Sequence, residues 1–153
     1  ASMANCFAMA ALRSADGAYL LGEMGAQTAN AGKIYFPAGT PDLSDVKGGS
    51  VDLTASVWRE VEEETGLTPA QVEAEPCWHS VFAGAQIAHL KIMQAREDAV
   101  ALRERIMTFI KRQDPPELAD IRIVRGPADL DPMMLPFVVG FLREQWAGAA
   151  PQS

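Results

Sequence analysis

The sequence predicts one α/β domain, and three observations carry that expectation. A pair of short apolar segments flanks an Asp-Gly turn near the N-terminus. A compact, strongly acidic helix follows. Strand-like segments then alternate with two longer amphipathic helical stretches. At 153 residues, 48% hydrophobic and 22% charged, the chain is long enough to bury a core of its own.

Cys6 to Leu12 is short, apolar and strand-like. Ser14-Ala15-Asp16-Gly17 is a turn by composition, and Ala18 to Met24 reads as the returning strand of a hairpin. Gly25 to Gly32 is a small-residue loop and Lys33 to Phe36 a short strand. A helix is predicted from about Leu53 to Thr65, opened by Asp52 as its N-cap, where a negative charge suits the helix dipole. Thr54, Val57, Trp58 and Val61 form its apolar stripe, expected opposite its glutamates, with Trp58 packing in the core. Glu73 to Phe82 and Gln86 to Gln94 read as two strands around Gly84.

Glu97 to Gln113 is an amphipathic helix whose apolar face is Val100, Leu102, Ile106, Met107, Phe109 and Ile110. Arg103, Arg105, Lys111 and Arg112 give it a solvated basic side. Asp114-Pro115-Pro116 closes it. Glu117 to Val124 is strand-like, and Asp131-Pro132 to Trp146 reads as a last helix kinked near Pro136.

Composition excludes several functions. A net charge of −7 and a pI near 4.8 argue against grip on a nucleic-acid backbone, which needs a basic surface. The longest apolar stretch, Met133 to Leu142, contains Pro136 and Gly140 and is too short to span a bilayer. No basic region followed by an apolar core opens the chain, so no signal peptide is expected. Cys6 and Cys77 lie far apart without metal-ligand spacing and read as buried small hydrophobes in a reducing cytoplasm. His79 and His89 show no ligand spacing and read as structural. The glycine motifs of serine hydrolases and of phosphate-binding loops are absent.

The most informative stretch is Arg59-Glu60-Val61-Glu62-Glu63-Glu64-Thr65-Gly66-Leu67. On a helix Glu60, Glu63 and Glu64 fall within a sector about 100° wide, while Glu62 points away. Like charges so placed cost stability unless a cation sits among them. Three converging carboxylates suit a hard divalent ion such as Mg²⁺ or Mn²⁺. Arg59 stands one turn before Glu63, at ion-pair distance for orienting that carboxylate. Gly66 ends the helix where a left-handed residue is wanted.

Arg59 to Leu67 resembles the second half of the Nudix box and matches it at every defined position. The first half departs. Counting back from Arg59, the family's glutamate falls on Val51 and its glycine on Asp45. Ile34-Tyr35-Phe36-Pro37-Ala38-Gly39 looks like the strand and Pro-Gly-Gly turn that precede the box. Gly39 is then the box glycine, displaced by an insertion within Thr40 to Val51, and the box spans about 39–67. Asp42, Asp45 or Asp52 could supply a carboxylate from the longer loop.

The resemblance implies a Nudix-type α/β/α sandwich with a mixed sheet, residues 1–153 forming one domain, and the helix near 97–113 as an addition. It implies metal-dependent hydrolysis of a pyrophosphate linkage in a nucleotide or nucleoside diphosphate derivative. Glu60, Glu63 and Glu64 would hold the ions and the Ala38 carbonyl would add a ligand. Arg59 would orient. Glu63, Glu64 or Glu117 would take the proton from water, Glu117 because Glu117 to Val124 resembles a late family segment that carries such a residue. The alternative is a Nudix-fold binding or sensor module without turnover, to which Val51 and the rebuilt loop point. The partner implied is a small nucleotide, and homodimers are common in the family. Val81 and Phe82 stand where a proline or tyrosine marks two of the family's substrate classes, so the substrate is not legible.

Overall fold

The computed structural model describes residues 5–36, 38–39, 46–47, 50–51, 53–83, 86–113 and 116–148. Strands β1 (Asn5–Arg13) and β2 (Tyr19–Met24) form the expected hairpin, followed by β3 (Ile34–Tyr35) and β4 (Ala38–Gly39). A separate two-stranded ladder, β5 (Val46–Lys47) with β6 (Ser50–Val51), precedes helix α1 (Leu53–Thr65). Then come β7 (Val72–Ala83), β8 (Gln86–Ala95), helix α2 (Ala99–Lys111), β9 (Leu118–Val124), a 3₁₀ turn at Pro127–Asp129 and helix α3 (Pro136–Gly148).

Seven of the strands make one mixed sheet in the order β3-β2-β1-β8-β7, with β4 also on β1 and β9 also on β2. β1 and β8 run parallel over their whole length, from Asn5↔Gln86 to Arg13↔Gln94, and the other pairings are antiparallel. Helices cover both faces. On one side Val57 and Val61 of α1 and Leu102, Ile106 and Ile110 of α2 pack with Ala8, Ala10, Leu12 and Met93. On the other, Phe137, Val138, Phe141 and Leu142 of α3 pack with Met9, Ala11, Leu21 and Leu90. β1 is therefore buried on both faces from Ala8 to Leu12, which explains its unbroken apolar run. This is the expected sandwich.

Several expectations need correction. Val100 is 62% exposed, so the buried face of α2 is Ala99, Leu102, Ile106 and Ile110. Its basic side is partly engaged: Arg103 bonds the Ile121 carbonyl (2.8 Å) and Asp120 (2.5 Å) on β9, and Arg105 pairs with Glu97 at 2.6 Å. Cys77 is free and exposed, not buried, because it lies where the β7–β8 register shifts between Ala74 and Trp78. The last helix begins at Pro136 without a kink. Proline fits the first helical position but keeps the residue before it out of helical conformation. Ile34 and Met134 instead form a parallel bridge, with Ile34 N–H bonded to the Met133 carbonyl at 3.0 Å. Asp52, Asp42, Asp45 and Pro37 lie outside the described residues.

The hairpin turn doubles as an anchor for α2. Asp98 caps that helix by accepting from Ala101 N–H at 2.8 Å, and Asp16 accepts from Ala99 N–H at 2.9 Å. The hydrogen bond from Ser14 does most to hold the Asp16 carboxyl down at about 2; burial opposes it, and the bonds from Ala99 and Arg125 add smaller lowering effects. A carboxyl lowered on folding contributes stability above its unfolded value of 3.8 and loses it as pH falls through about 2. Wild type is therefore expected to be more stable than Asp16→Asn near neutrality. Acid unfolding should show that advantage shrinking between about pH 4 and pH 2.

The end of α1 is locked from two sides. Gly66 has φ of 75° and its N–H returns to the Glu62 carbonyl at 3.0 Å, a left-handed helix stop. A Cβ there would lie 2.5 Å from Phe109 Cδ1 on α2. Gln113 Nε2 donates to the end carbonyl of Glu63 at 3.1 Å. Gly66→Ala should thus lose stability by roughly 2–4 kcal/mol, from left-handed strain and overpacking together. Chemical denaturation would check it, and a loss under about 0.5 kcal/mol would contradict the lock.

Candidate active site

Helix α1 places its acidic residues by simple rotation. Val57, Val61 and Glu64 follow one another at the spacing of one helix face. All three are buried, Glu64 to 6% exposure. The stripe does not lie opposite the glutamates as expected: Glu64 belongs to the buried stripe itself, and Thr54 and Trp58 are half-buried at its margin. Trp58 does pack against the core. Glu60 is half-buried, while Glu62 and Glu63 are exposed. Ser56, one turn before Glu60 on the same face, is fully buried, and its hydroxyl has no hydrogen-bond partner among the described residues.

Glu64 lines a small cavity of about 10 Å³ together with Leu12, Leu20, Tyr35, Thr65 and Ile106. That is room for roughly one water. Burial pushes the Glu64 carboxyl up to about 8, and the charges of Glu60, Glu117 and Glu63 push the same way, in that order. Tyr35 feels the same field. Its hydroxyl is raised first by burial and then by Glu64, Glu117 and Glu60, although a long hydrogen bond from Asn30 (3.5 Å) opposes this.

Glu117 is exposed just before β9, yet its charge reaches both Glu64 and Tyr35. Its own carbonyl receives Gly25 N–H at 2.9 Å, and Gln27 Nε2 donates to the Pro116 carbonyl, so the loop after β2 ties this segment down. Arg59 and Glu63 line a separate open cleft of about 510 Å³ with Glu62, Gly66, Thr68 and Phe109. Ala38 sits in β4, paired with Met9 of β1. His79 stacks edge-on against Phe141 (5.6 Å) and His89 Nδ1 meets Ser80 Oγ (2.9 Å), both structural contacts.

Sequence reasoning missed Tyr35 and Ser56 as neighbours of the acidic cluster. Tyr35 had a signal, standing just before the Pro-Ala-Gly turn that leads to the box. Ser56 had none, since a serine on a helix is usually solvated.

No group of three or more His, Cys, Asp or Glu side chains among the described residues is already drawn together as a metal-holding set. The donors nevertheless fit a hard divalent ion in kind and charge. They are all oxygen, they repel one another, and one is buried where its charge lacks a cationic partner among the described residues.

No protein-family profile matches the sequence, and no curated protein matches it significantly. Solved structures do. A MutT protein from Methanosarcina mazei Go1 superposes with a TM-score of 0.60 at 16% identity, over 95% of this chain and 95% of that one. A Nudix hydrolase from M. smegmatis gives 0.58 at 16% identity, over 98% and 89% of the two chains. A bifunctional NMN adenylyltransferase/ADP ribose pyrophosphatase from Francisella tularensis, complexed with AMP and a Mn ion, gives 0.58 at 13% identity, over 95% of this chain and 42% of that one. The chain has the Nudix fold.

The raised Glu64 carboxyl makes a stability prediction for the metal-free protein. A carboxyl raised on folding keeps its proton where the unfolded chain, at 4.5, has lost it. Its contribution is full below that value and is lost as pH rises through about 8. In chelator, the thermal midpoint of wild type should fall between about pH 5 and pH 8 more steeply than that of Glu64→Gln. Parallel curves for the two proteins would remove Glu64 from the buried stripe.

Proposed function

We propose that this chain hydrolyses a pyrophosphate linkage in a nucleotide or nucleoside diphosphate derivative with the help of a divalent ion, Mg²⁺ or Mn²⁺. The observation that carries the reading is Glu64, a carboxylate buried in the apolar stripe of the helix this fold uses, with Glu60, Glu63 and Glu117 bearing on it. Such a cluster raises the energy of the empty site, and a cation relieves it. The Francisella tularensis structure, of the same fold, is a complex with AMP and Mn, which supports both the ion and the nucleotide.

In this reading Glu60, Glu63 and Glu64 hold the ion, and the Ala38 carbonyl adds a neutral oxygen. A bound ion neutralises phosphate oxygens and makes a coordinated water more acidic. The chain then has to accept the water's proton. Glu63, Glu64 and Glu117 are the candidates, and only Glu117 comes from outside the helix. Arg59 shares its cleft with Glu63 and orients that carboxylate. Glu64 is 6% exposed, so little bulk water reaches it. We assign residues 1–153 to a single domain, a small nucleotide as its partner and a homodimer as its assembly. The setting is a reducing cytoplasm, which the free, exposed Cys77 supports.

A second reading has its own observation. Val51, where the family has a glutamate, lies in β6 of a hairpin within the stretch that the family's shorter loop would occupy. That favours a module that binds a nucleotide without turning it over.

One experiment separates the two. A panel of pyrophosphate-linked nucleotides with Mg²⁺ or Mn²⁺ should include one that wild type hydrolyses. Glu63→Gln should lower that turnover about 10²–10³-fold, the usual effect of removing one electrostatic stabiliser. No turnover across the panel, with one nucleotide bound tightly and equally by wild type and Glu63→Gln, would establish the binding module instead.

A further inference from the structure

β7 is the outermost strand of the sheet. β8 pairs with one of its edges, and no strand among the described residues pairs with the other. A free edge presents a row of N–H and C=O groups ready for another strand. The two halves of β7 treat that hazard differently.

The first half is defended. Glu73 and Glu75 are charged, Pro76 lacks a donor, and the register shifts between Ala74 and Trp78. Lys91 fixes this irregularity from the neighbouring strand. It is 6% exposed, its Nζ bonds the Pro76 carbonyl at 3.2 Å, and it lies 4.7 Å from the Trp78 ring centre. The second half has no such device. From Trp78 to Ala83 the pairing with β8 is regular, without proline, aspartate, glutamate, lysine or arginine. Ser80 is exposed, and Phe82 is exposed to 71%.

We propose that the second half of β7 pairs with the same stretch of a second copy, joining two sheets into one across a two-fold axis. The occupant is a second copy because the stretch complements itself. A two-fold axis perpendicular to the sheet keeps each face with its like, so opposed residues must point to the same side. With the axis at Ser80, Phe82 lies opposite the partner's Trp78 on the face that α1 covers. Val81 lies opposite the partner's His79 on the α3 face. An aromatic cross-strand pair is among the better ones. Glu73 and Glu75 fall outside the paired stretch, so a chain with a net charge of −7 brings no like charges together there. The same pairing would cover Phe82.

So short a ladder buries less than the roughly 1,200 Å² of a stable standard interface, so the dimer is a reversible one. The inference gives the proposed homodimer its surface and does not depend on the hydrolase reading.

Sedimentation of wild type over about 1–100 µM should show a concentration-dependent monomer–dimer equilibrium. Ser80→Lys sets two lysines against each other at the axis and should weaken it on the order of tenfold or more. Phe82→Ser, which adds no charge, should weaken it too, while Val100→Lys, on exposed α2, should not. Circular dichroism would confirm that each variant is folded, and Phe82→Ser carries the test if Ser80→Lys is not. A wild type that stays monomeric at the highest concentration would overturn the proposal. So would a dimer indifferent to the folded β7 variants.

Discussion

Everything at the candidate site depends on one constraint: the stripe of α1 that docks on the sheet contains a carboxyl group. Val57 and Val61 fix how the helix sits on β1, and Glu64 comes after them on the same face. The packing that stabilises the helix thereby forces Glu64 into a place where its charge is costly. Turning it out would unseat the two valines. The surrounding acids then act on a group that cannot move away, and burial outweighs each of them in raising its carboxyl. A buried carboxylate that a fold could easily have replaced by a leucine makes physical sense where a cation returns what desolvation removes.

The rest of the molecule reads as support for that placement. α2, which lies beyond the elements the box itself would need, closes the site from the side. Ile106 lines the cavity beside Glu64, Phe109 fills the space over Gly66, and Gln113 satisfies the end carbonyl of Glu63. The Ser14–Gly17 turn in turn fixes the start of α2 through Asp16. Rotation of α1 is thus limited at its C-terminal end by a helix that is itself pinned to the hairpin. Glu117 is positioned in a similar way, by the Gly25 N–H bond to its carbonyl and the Gln27 side-chain bond to the Pro116 carbonyl beside it.

How much of this was legible follows from which signals are local. The bounds of α1 were readable to the residue, because the Arg59–Leu67 pattern and the terminal glycine are both local. The β1–β2 hairpin was readable from Asp16-Gly17, and the strands on either side of Gly84 from their composition. Burial was read less well. A rotation diagram gives the angle between Val61 and Glu64 but not the width of the groove that receives them, and so Glu64 was expected outside the core. Val100 is apolar and was expected on the buried face of α2, yet only the sheet decides where that face ends, and it leaves Val100 exposed. Cys77 is exposed because of a register shift between two strands, which neither strand reveals alone. The β5–β6 ladder was hidden because its strands are too short to show periodicity, although Gly48-Gly49 between them is a hairpin composition.

In the proposed hydrolase, the missing box glutamate would bear on the number of ions rather than on whether the site binds one. A divalent ion of the magnesium type keeps several waters and needs only one or two protein carboxylates, the substrate's phosphates supplying further oxygens. Glu60, Glu63 and Glu64 already exceed that need, and Glu117 adds a fourth negative charge in the same field. With valine at position 51 in place of the family's glutamate, the proposed site would bear less repulsion when empty and would have less capacity for additional ions. In the proposed hydrolase the site would gather fewer ions than the full box, and the proton-accepting role would fall to whichever glutamate is left without a metal bond.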